Sequence, residues 1–197
     1  MKKNNRIWIV PFLIMGIIVV FTSGCNKEDD NNGNDQTIAI GENYGGGIIF
    51  YVDGTNKHGL IVAKINQTSS ENIEWGCEGT FISGTGTAVN TGKTNTNAIV
   101  NGCSIAGIAA RLCDQLELNE YDDWFLPSKD ELNLMYQNLH KQGLGDFSNF
   151  LYWSSSEIDG DNVWAQNFWD DSPFFEPGGQ YSVNKVGDMY ARAIRAF

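Results

Sequence analysis

Acidic and aromatic side chains interleave through residues 157–181, where Asp159-Gly160-Asp161-Asn162 is followed by Trp169-Asp170-Asp171 and then by Phe174-Phe175-Glu176-Pro177-Gly178. Carboxylates clustered on a loop supply the hard oxygen donors that calcium takes, and exposed aromatic rings stack on the apolar face of a sugar. Trp169 is the strongest stacking platform, because Asp170 and Asp171 beside it can accept sugar hydroxyls or hold an ion, and Glu176 adds a fourth ligand-binding candidate. Calcium is the cofactor this pattern admits without requiring it. The competing reading places the aromatics in a loop-rich lobe with solvated acids outside.

A second chemistry lies at the N-terminus. Lys2, Lys3 and Arg6 precede an apolar run from Ile7 to Phe21, the layout of a secretory leader, and at about 15 residues the run falls short of the roughly 20 that span a bilayer. Phe21-Thr22-Ser23-Gly24-Cys25 resembles a lipobox, in which small residues precede a cysteine whose thiol receives a diacylglycerol. Residues 26–35 hold nothing apolar to bury and read as a solvated tether. Lys27-Glu28-Asp29-Asp30 also resembles the signal that sends Bacteroidetes lipoproteins to the outer face of the outer membrane. The expected organisation is a lipoprotein signal peptide over 1–24, a lipidated acidic tether over 25–37 and one domain over 38–197. The membrane contact is then the lipid on Cys25, at the outer membrane and on the cell surface.

With Cys25 committed to lipid, Cys77, Cys103 and Cys113 remain in an oxidising compartment. A Cys77–Cys103 disulfide would clamp a Gly/Thr-rich loop and leave Cys113 as a small buried hydrophobe, and Cys103–Cys113 is the alternative. No Cys-x-x-Cys pair or histidine cluster offers a zinc site. Gly86-Thr87-Ala88-Val89-Asn90-Thr91-Gly92-Lys93-Thr94 looks like a phosphate loop until five residues are counted between its glycines where four are required. His58 lies in a turn and His140 late on a helix, and no nucleophile-elbow sequence surrounds Ser154, Ser155 or Ser156, which read as strand-end hydrogen bonders. The expectation is therefore a chain that is not an enzyme.

The elements that must position these residues form an α+β pattern. Gly45-Gly46-Gly47 leads into Ile48–Val52, a polar turn runs from Asp53 to Gly59, and Leu60–Ala63 follows, which predicts an antiparallel hairpin at the centre of a sheet. Ala98-Ile99-Val100 suggests a short helix capped by Thr94 or Asn95. Apolar residues at 105, 108, 109, 112, 113 and 116 have helical spacing, and Ser128-Lys129-Asp130-Glu131 is a capping box ahead of the stripe Leu132, Met135, Tyr136 and Leu139, with Gly143 as a stop. Strands are expected at Leu151–Ser154, Val163–Phe168 and Ala191–Phe197, the last alternating as a paired terminal strand does.

Composition narrows the partners. Hydrophobic residues make up 42% and aromatics 12%, enough to build one core. Three of the 13 basic residues lie in the leader, so 10 face 24 acidic ones after cleavage and the formal charge moves from −11 to −14. Such a surface repels phosphate backbones and anionic head groups, which excludes nucleic acid as a natural partner.

Gly46-Gly47-Ile48-Ile49-Phe50, Asp122-Asp123-Trp124-Phe125-Leu126-Pro127-Ser128-Lys129-Asp130-Glu131-Leu132, Tyr152-Trp153-Ser154-Ser155-Ser156-Glu157 and Arg192-Ala193-Ile194-Arg195 together resemble the Lcl C-terminal domain family, over most of the chain from Gly41. The related Fibrobacter succinogenes major paralogous domain shares the Trp-x-Leu-Pro and Trp-Ser-Ser elements. The resemblance implies a C-type-lectin-like fold: small antiparallel sheets, two helices, a long irregular loop region and paired N- and C-terminal strands. It implies extracellular binding of a glycan or another adhesion partner. The alternatives are a structural or accessory surface protein without sugar binding, and an oxidase related to the formylglycine-generating enzymes, whose exposed cysteine pair Cys103 and Cys113 do not supply.

Overall fold

The structure, a computed structural model, describes residues 38–197. The leader over 1–24, Cys25 and the tether over 25–37 lie outside the described residues. Within them the chain is α+β: β1 Asn43–Tyr44, β2 Gly47–Val52, β3 Gly59–Ala63, α1 Gly92–Gly102, α2 Ala109–Asp114, α3 Lys129–Asn138, a single 3₁₀ turn His140–Gln142, β4 Leu151–Glu157, β5 Asn162–Asn167, β6 Gln180–Asn184 and β7 Ile194–Ala196. The strands form two antiparallel sheets, one in the order β1-β2-β3-β7 and one in the order β4-β5-β6.

The β2–β3 hairpin is central, as its two apolar runs predict. All five residues of β3 are buried, because this sheet is covered on both sides. Alternation sends Ile61 and Ala63 into a core with Trp75, Trp124, Trp153, Ile99 and Cys113, and Leu60 and Val62 into a second core with Phe50, Tyr152, Phe168 and the α3 stripe. Ile49 and Phe50 alternate into opposite cores, and a bulge between Ile49 and Tyr51 breaks that alternation so that neighbouring Phe50 and Tyr51 both pack on the second core. The Phe50 carbonyl there accepts the Asn138 side-chain N–H at 3.0 Å. The three fully buried tryptophans all donate their indole N–H, Trp75 to Ser154 O, Trp124 to Tyr121 O and Trp153 to Ile73 O.

The C-terminus closes the first sheet. Leu60, Ile61 and Val62 register against Ala196, Arg195 and Ile194. On its other side Ile194 exchanges both backbone hydrogen bonds with Phe125. The terminal strand thus pairs with β3 of the hairpin, while the first strand β1 lies at the far edge of the sheet. Arg195 stacks over Tyr121 at 3.7 Å and holds Asp123 through two nitrogens.

Among the described residues three α-helices are present, where the resemblance implies two, and their limits differ from the sequence reading. The helix α1 starts at Gly92, after Thr91, and neither Thr94 nor Asn95 caps it. Asn95 instead clasps Gly86 through both its amide atoms and donates to Ser155 Oγ. The expected helix from Ile105 to Leu118 shrinks to Ala109–Asp114. Cys103 is fixed to Cys77, and Gly107 at φ +74° breaks the helical path, leaving Ile105 exposed. The capping box of α3 is complete: Ser128 Oγ accepts from the Glu131 N–H, and Glu131 accepts from the Ser128 N–H at 2.7 Å.

Ser154, Ser155 and Ser156 lie inside β4, not at a strand end. Ser154 donates to Trp164 O and Ser156 to Gly86 O, which ties the sheet to the loop before α1. The Cys77–Cys103 disulfide is formed, and Cys113 is a free, buried thiol whose ionisation burial pushes far up. Beside the bridge, Lys185 and Glu157 form a fully buried ion pair. Lys185 also donates to Thr80 O, and Glu157 accepts the Ile82 N–H, so no lone charge is left uncompensated there.

Candidate functional site

The segment joining β5 to β6 carries the four ligand-binding candidates, and its shape is set by Asn167, the buried last residue of β5. Asn167 Nδ2 donates to Trp169 O at 2.9 Å and to Glu176 O at 3.1 Å, and Asn167 Oδ1 accepts the Trp169 N–H at 3.0 Å. One amide side chain thereby pins the two ends of the loop. Ser172 Oγ accepts the N–H groups of Phe174 and Phe175, and the Tyr181 hydroxyl accepts the Glu176 N–H at 2.7 Å. The return into β6 runs through Gly178 at φ +69°, packed under the Tyr136 ring where a Cβ would collide.

On this frame the side chains divide. Phe174 is 80% exposed at the loop tip, whereas Phe175 turns in against Tyr181 with ring centroids 5.0 Å apart. Trp169 is half-buried. Asp171 and Glu176 are exposed, and among the described residues their carboxylates have no hydrogen-bond partner. Asp170 is different. Its Oδ1 accepts from the Tyr136 hydroxyl at 2.8 Å and its Oδ2 lies 3.2 Å from His140 Nε2. Burial and this carboxylate acceptor push the Tyr136 hydroxyl up to about 12, so it stays protonated and keeps donating.

The sequence assigns Tyr136 to the core stripe and His140 to no site. Tyr136 lies near the end of α3 and His140 opens the 3₁₀ turn that follows, a spacing of four that keeps the two rings together, but Asp170, which unites them, lies 30 residues beyond His140. The His140 ring stacks on Tyr136 and meets Phe168 edge-on. Between this cluster and the 143–147 loop lies a cleft of about 310 Å³ lined by His140, Gly143, Leu144, Asp146, Phe147 and Asp170.

The donors for calcium do not assemble. Both oxygens of Asp170 are already engaged. Asp159 Oδ1 accepts the N–H groups of Asp161 and Asn162, bonds that hold its carboxyl below the usual range, and Asp161 Oδ1 accepts the Gly79 N–H. Among the described residues no group of three or more His, Cys, Asp or Glu side chains is placed to hold a metal ion.

The phosphate-loop lookalike is closed by the protein itself. Glu131 Oε1 accepts the Asn90 N–H at 2.7 Å, so a resident carboxylate occupies the anion position ahead of α1.

No family model matches the chain, and a search of curated proteins returned no match.

Proposed function

We propose that residues 38–197 form an extracellular ligand-binding domain of the C-type-lectin-like kind, displayed on the outer membrane through a lipid on Cys25, with a glycan as its ligand. The observation that carries this reading is the 168–179 loop: exposed Phe174, half-buried Trp169 and the unengaged carboxylates of Asp171 and Glu176 stand on a backbone already held by Asn167, Ser172 and Tyr181. A loop ordered before binding loses little entropy on association, and aromatic faces beside hydroxyl acceptors suit a sugar ring. The Cys77–Cys103 bridge accords with an oxidising compartment and so with export.

The reading is tested by probing a glycan array with the purified full-length protein and its Trp169→Ala and Phe174→Ala variants. Glycans retained by the wild type and lost by either variant at unchanged melting temperature support it. An array without hits overturns it. The anchor is tested separately: Cys25→Ala should abolish lipid labelling and release the protein from the membrane fraction, and a mutant that still partitions into detergent with label would refute the anchor.

A further inference from the structure

A strand with a neighbour on one side only has backbone N–H and C=O groups left over, so a sheet edge is either blunted or paired. Three of the edge strands are dealt with by the chain itself. The strand β1 is two residues long. Ile194 of β7 exchanges both backbone bonds with Phe125. Along β4, Trp153 N–H donates to Tyr190 O at 2.9 Å and Ser155 N–H to Pro127 O at 2.7 Å. The fourth edge is β6, which ends the second sheet.

Its register shows which groups are free. Asn167 N–H donates to Gly179 O and Lys185 N–H to Asp161 O, each at 2.9 Å. Hydrogen-bonded pairs alternate along an antiparallel ladder, so between these limits Tyr181 and Val183 spend their backbone groups on Ala165 and Val163. Gln180, Ser182 and Asn184 point theirs the other way. The Asn184 carbonyl takes the Gly187 N–H at 3.0 Å. The N–H groups of all three and the carbonyls of Gln180 and Ser182 have no partner among the described residues. Gln-Tyr-Ser-Val-Asn also carries no charge, proline or bulge, the devices that keep an exposed edge from pairing.

The ends of this strand are complementary to each other. Gln180, Ser182 and Asn184 lie on the sheet face of Trp164, which registers with Ser182. On that face Gln180 Nε2 donates to the Lys129 carbonyl at 2.8 Å, and the Lys129 ammonium sits 3.6 Å from the centre of the Trp164 ring. At the other end Asn184 Nδ2 donates to Glu78 Oε1 at 2.8 Å. The edge thus runs from a lysine to a glutamate with Ser182 midway. A copy turned about a two-fold axis at Ser182 sets Gln180 against the other copy's Asn184, and so Lys129 against Glu78, on both sides of the axis.

We propose that β6 is the contact of a two-fold dimer, paired antiparallel with β6 of a second copy through Ser182 and joining two three-stranded sheets into one. The chain's net negative charge opposes association through its general surface, and this uncharged strand is where two copies meet without like charges opposed along the pairing. The pairing is independent of what the 168–179 loop binds.

Sedimentation equilibrium of the purified full-length protein should show its mass climbing toward twice the monomer's as concentration rises. Ser182→Pro removes the central N–H without touching a bond to β5 and should hold the protein monomeric, while Ser182→Ala keeps the dimer. Lys129→Glu and Glu78→Lys should each weaken association about tenfold, since each change acts twice across the axis, and the double reversal should restore it. Hydrogen exchange on the wild type needs no variant: the Ser182 amide should slow as concentration rises, whereas Tyr181 and Val183 stay slow throughout. The pairing is overturned by a protein that is monomeric at every concentration, by a folded Ser182→Pro variant that still dimerises, by single charge reversals without effect, or by a Ser182 amide indifferent to concentration.

Discussion

Glu131 Oε1 accepts the Asn90 backbone N–H at 2.7 Å, although Asn90 precedes α1 and Glu131 belongs to α3. With its other oxygen on Ser128 N–H, one fully buried carboxylate serves the N-terminal ends of two helices. Both helix dipoles favour the negative charge, and the N–H donors replace the water it lost.

Glu131→Ala should therefore destabilise strongly, by about 3 kcal/mol, because it strands buried N–H groups on two elements at once. Burial pushes the Glu131 carboxyl up despite the Ser128 and Asn90 donors. An acid raised in the folded state adds stability that is full below its unfolded value near 4.5 and is lost as pH rises through its folded value. Glu131→Gln cannot titrate. Denaturant titrations between pH 4 and pH 7 should show the wild type's advantage over Glu131→Gln shrinking as pH rises, and an advantage that grows would contradict this.

The capping box was legible because all its parts lie within four residues and obey a local rule. The second task of Glu131 was not, since Asn90 is 41 positions away. The same divide runs through the molecule. The hairpin follows from two apolar runs around a polar turn and α3 from its stripe, whereas β4, expected over Leu151–Ser154, runs on to Glu157. Asn95 looked like a helix cap because the sequence does not show that its amide clasps Gly86. The strand β6 was missed because Gln180–Asn184 has little apolar content; it forms by pairing with β5. For the site, the loop was visible in composition, but its exposed aromatic is Phe174 where the sequence singles out Trp169, and Asn167, which shapes the loop, resembled any polar strand residue.

Asn167→Ala should weaken ligand binding as much as removing an aromatic platform, though no exposed side chain is lost. Without the amide the Trp169 and Glu176 carbonyls lose a donor and the loop loosens, with a stability loss of about 1–3 kcal/mol. Phe174→Ala, at 80% exposure, should leave the melting temperature unchanged. Hydrogen exchange of residues 168–179 separates the two: faster in Asn167→Ala, unaltered in Phe174→Ala.

Replacing Cys77 and Cys103 together by serine should lower stability by about 3.5 kcal/mol, the chain-entropy value for a closed loop of this size, read by denaturant unfolding. Cys113 should stay unlabelled by thiol reagents until the domain unfolds, since burial keeps it as the unreactive thiol. Rapid labelling of Cys113 in the native protein would show that α2 opens.

Deleting residues 192–197 should abolish cooperative unfolding. It removes the Arg192 bonds to the 145–146 carbonyls, the whole of β7 and the backbone exchange between Ile194 and Phe125. A truncated chain that keeps a sharp thermal transition would show that β3 is satisfied without its partner.

That closing strand also imposes an order in time. A polypeptide is delivered N-terminus first, from a ribosome or through a membrane pore, and β3 emerges more than a hundred residues ahead of the strand that pairs with it. Until Ile194–Ala196 arrive, one edge of β3 has no neighbour and neither core can seal, so the nascent chain stays pliable over the whole stretch between the two strands. A fold latched by so late a strand closes in one late step, and a chain cut short ahead of Ile194 never seals its first sheet.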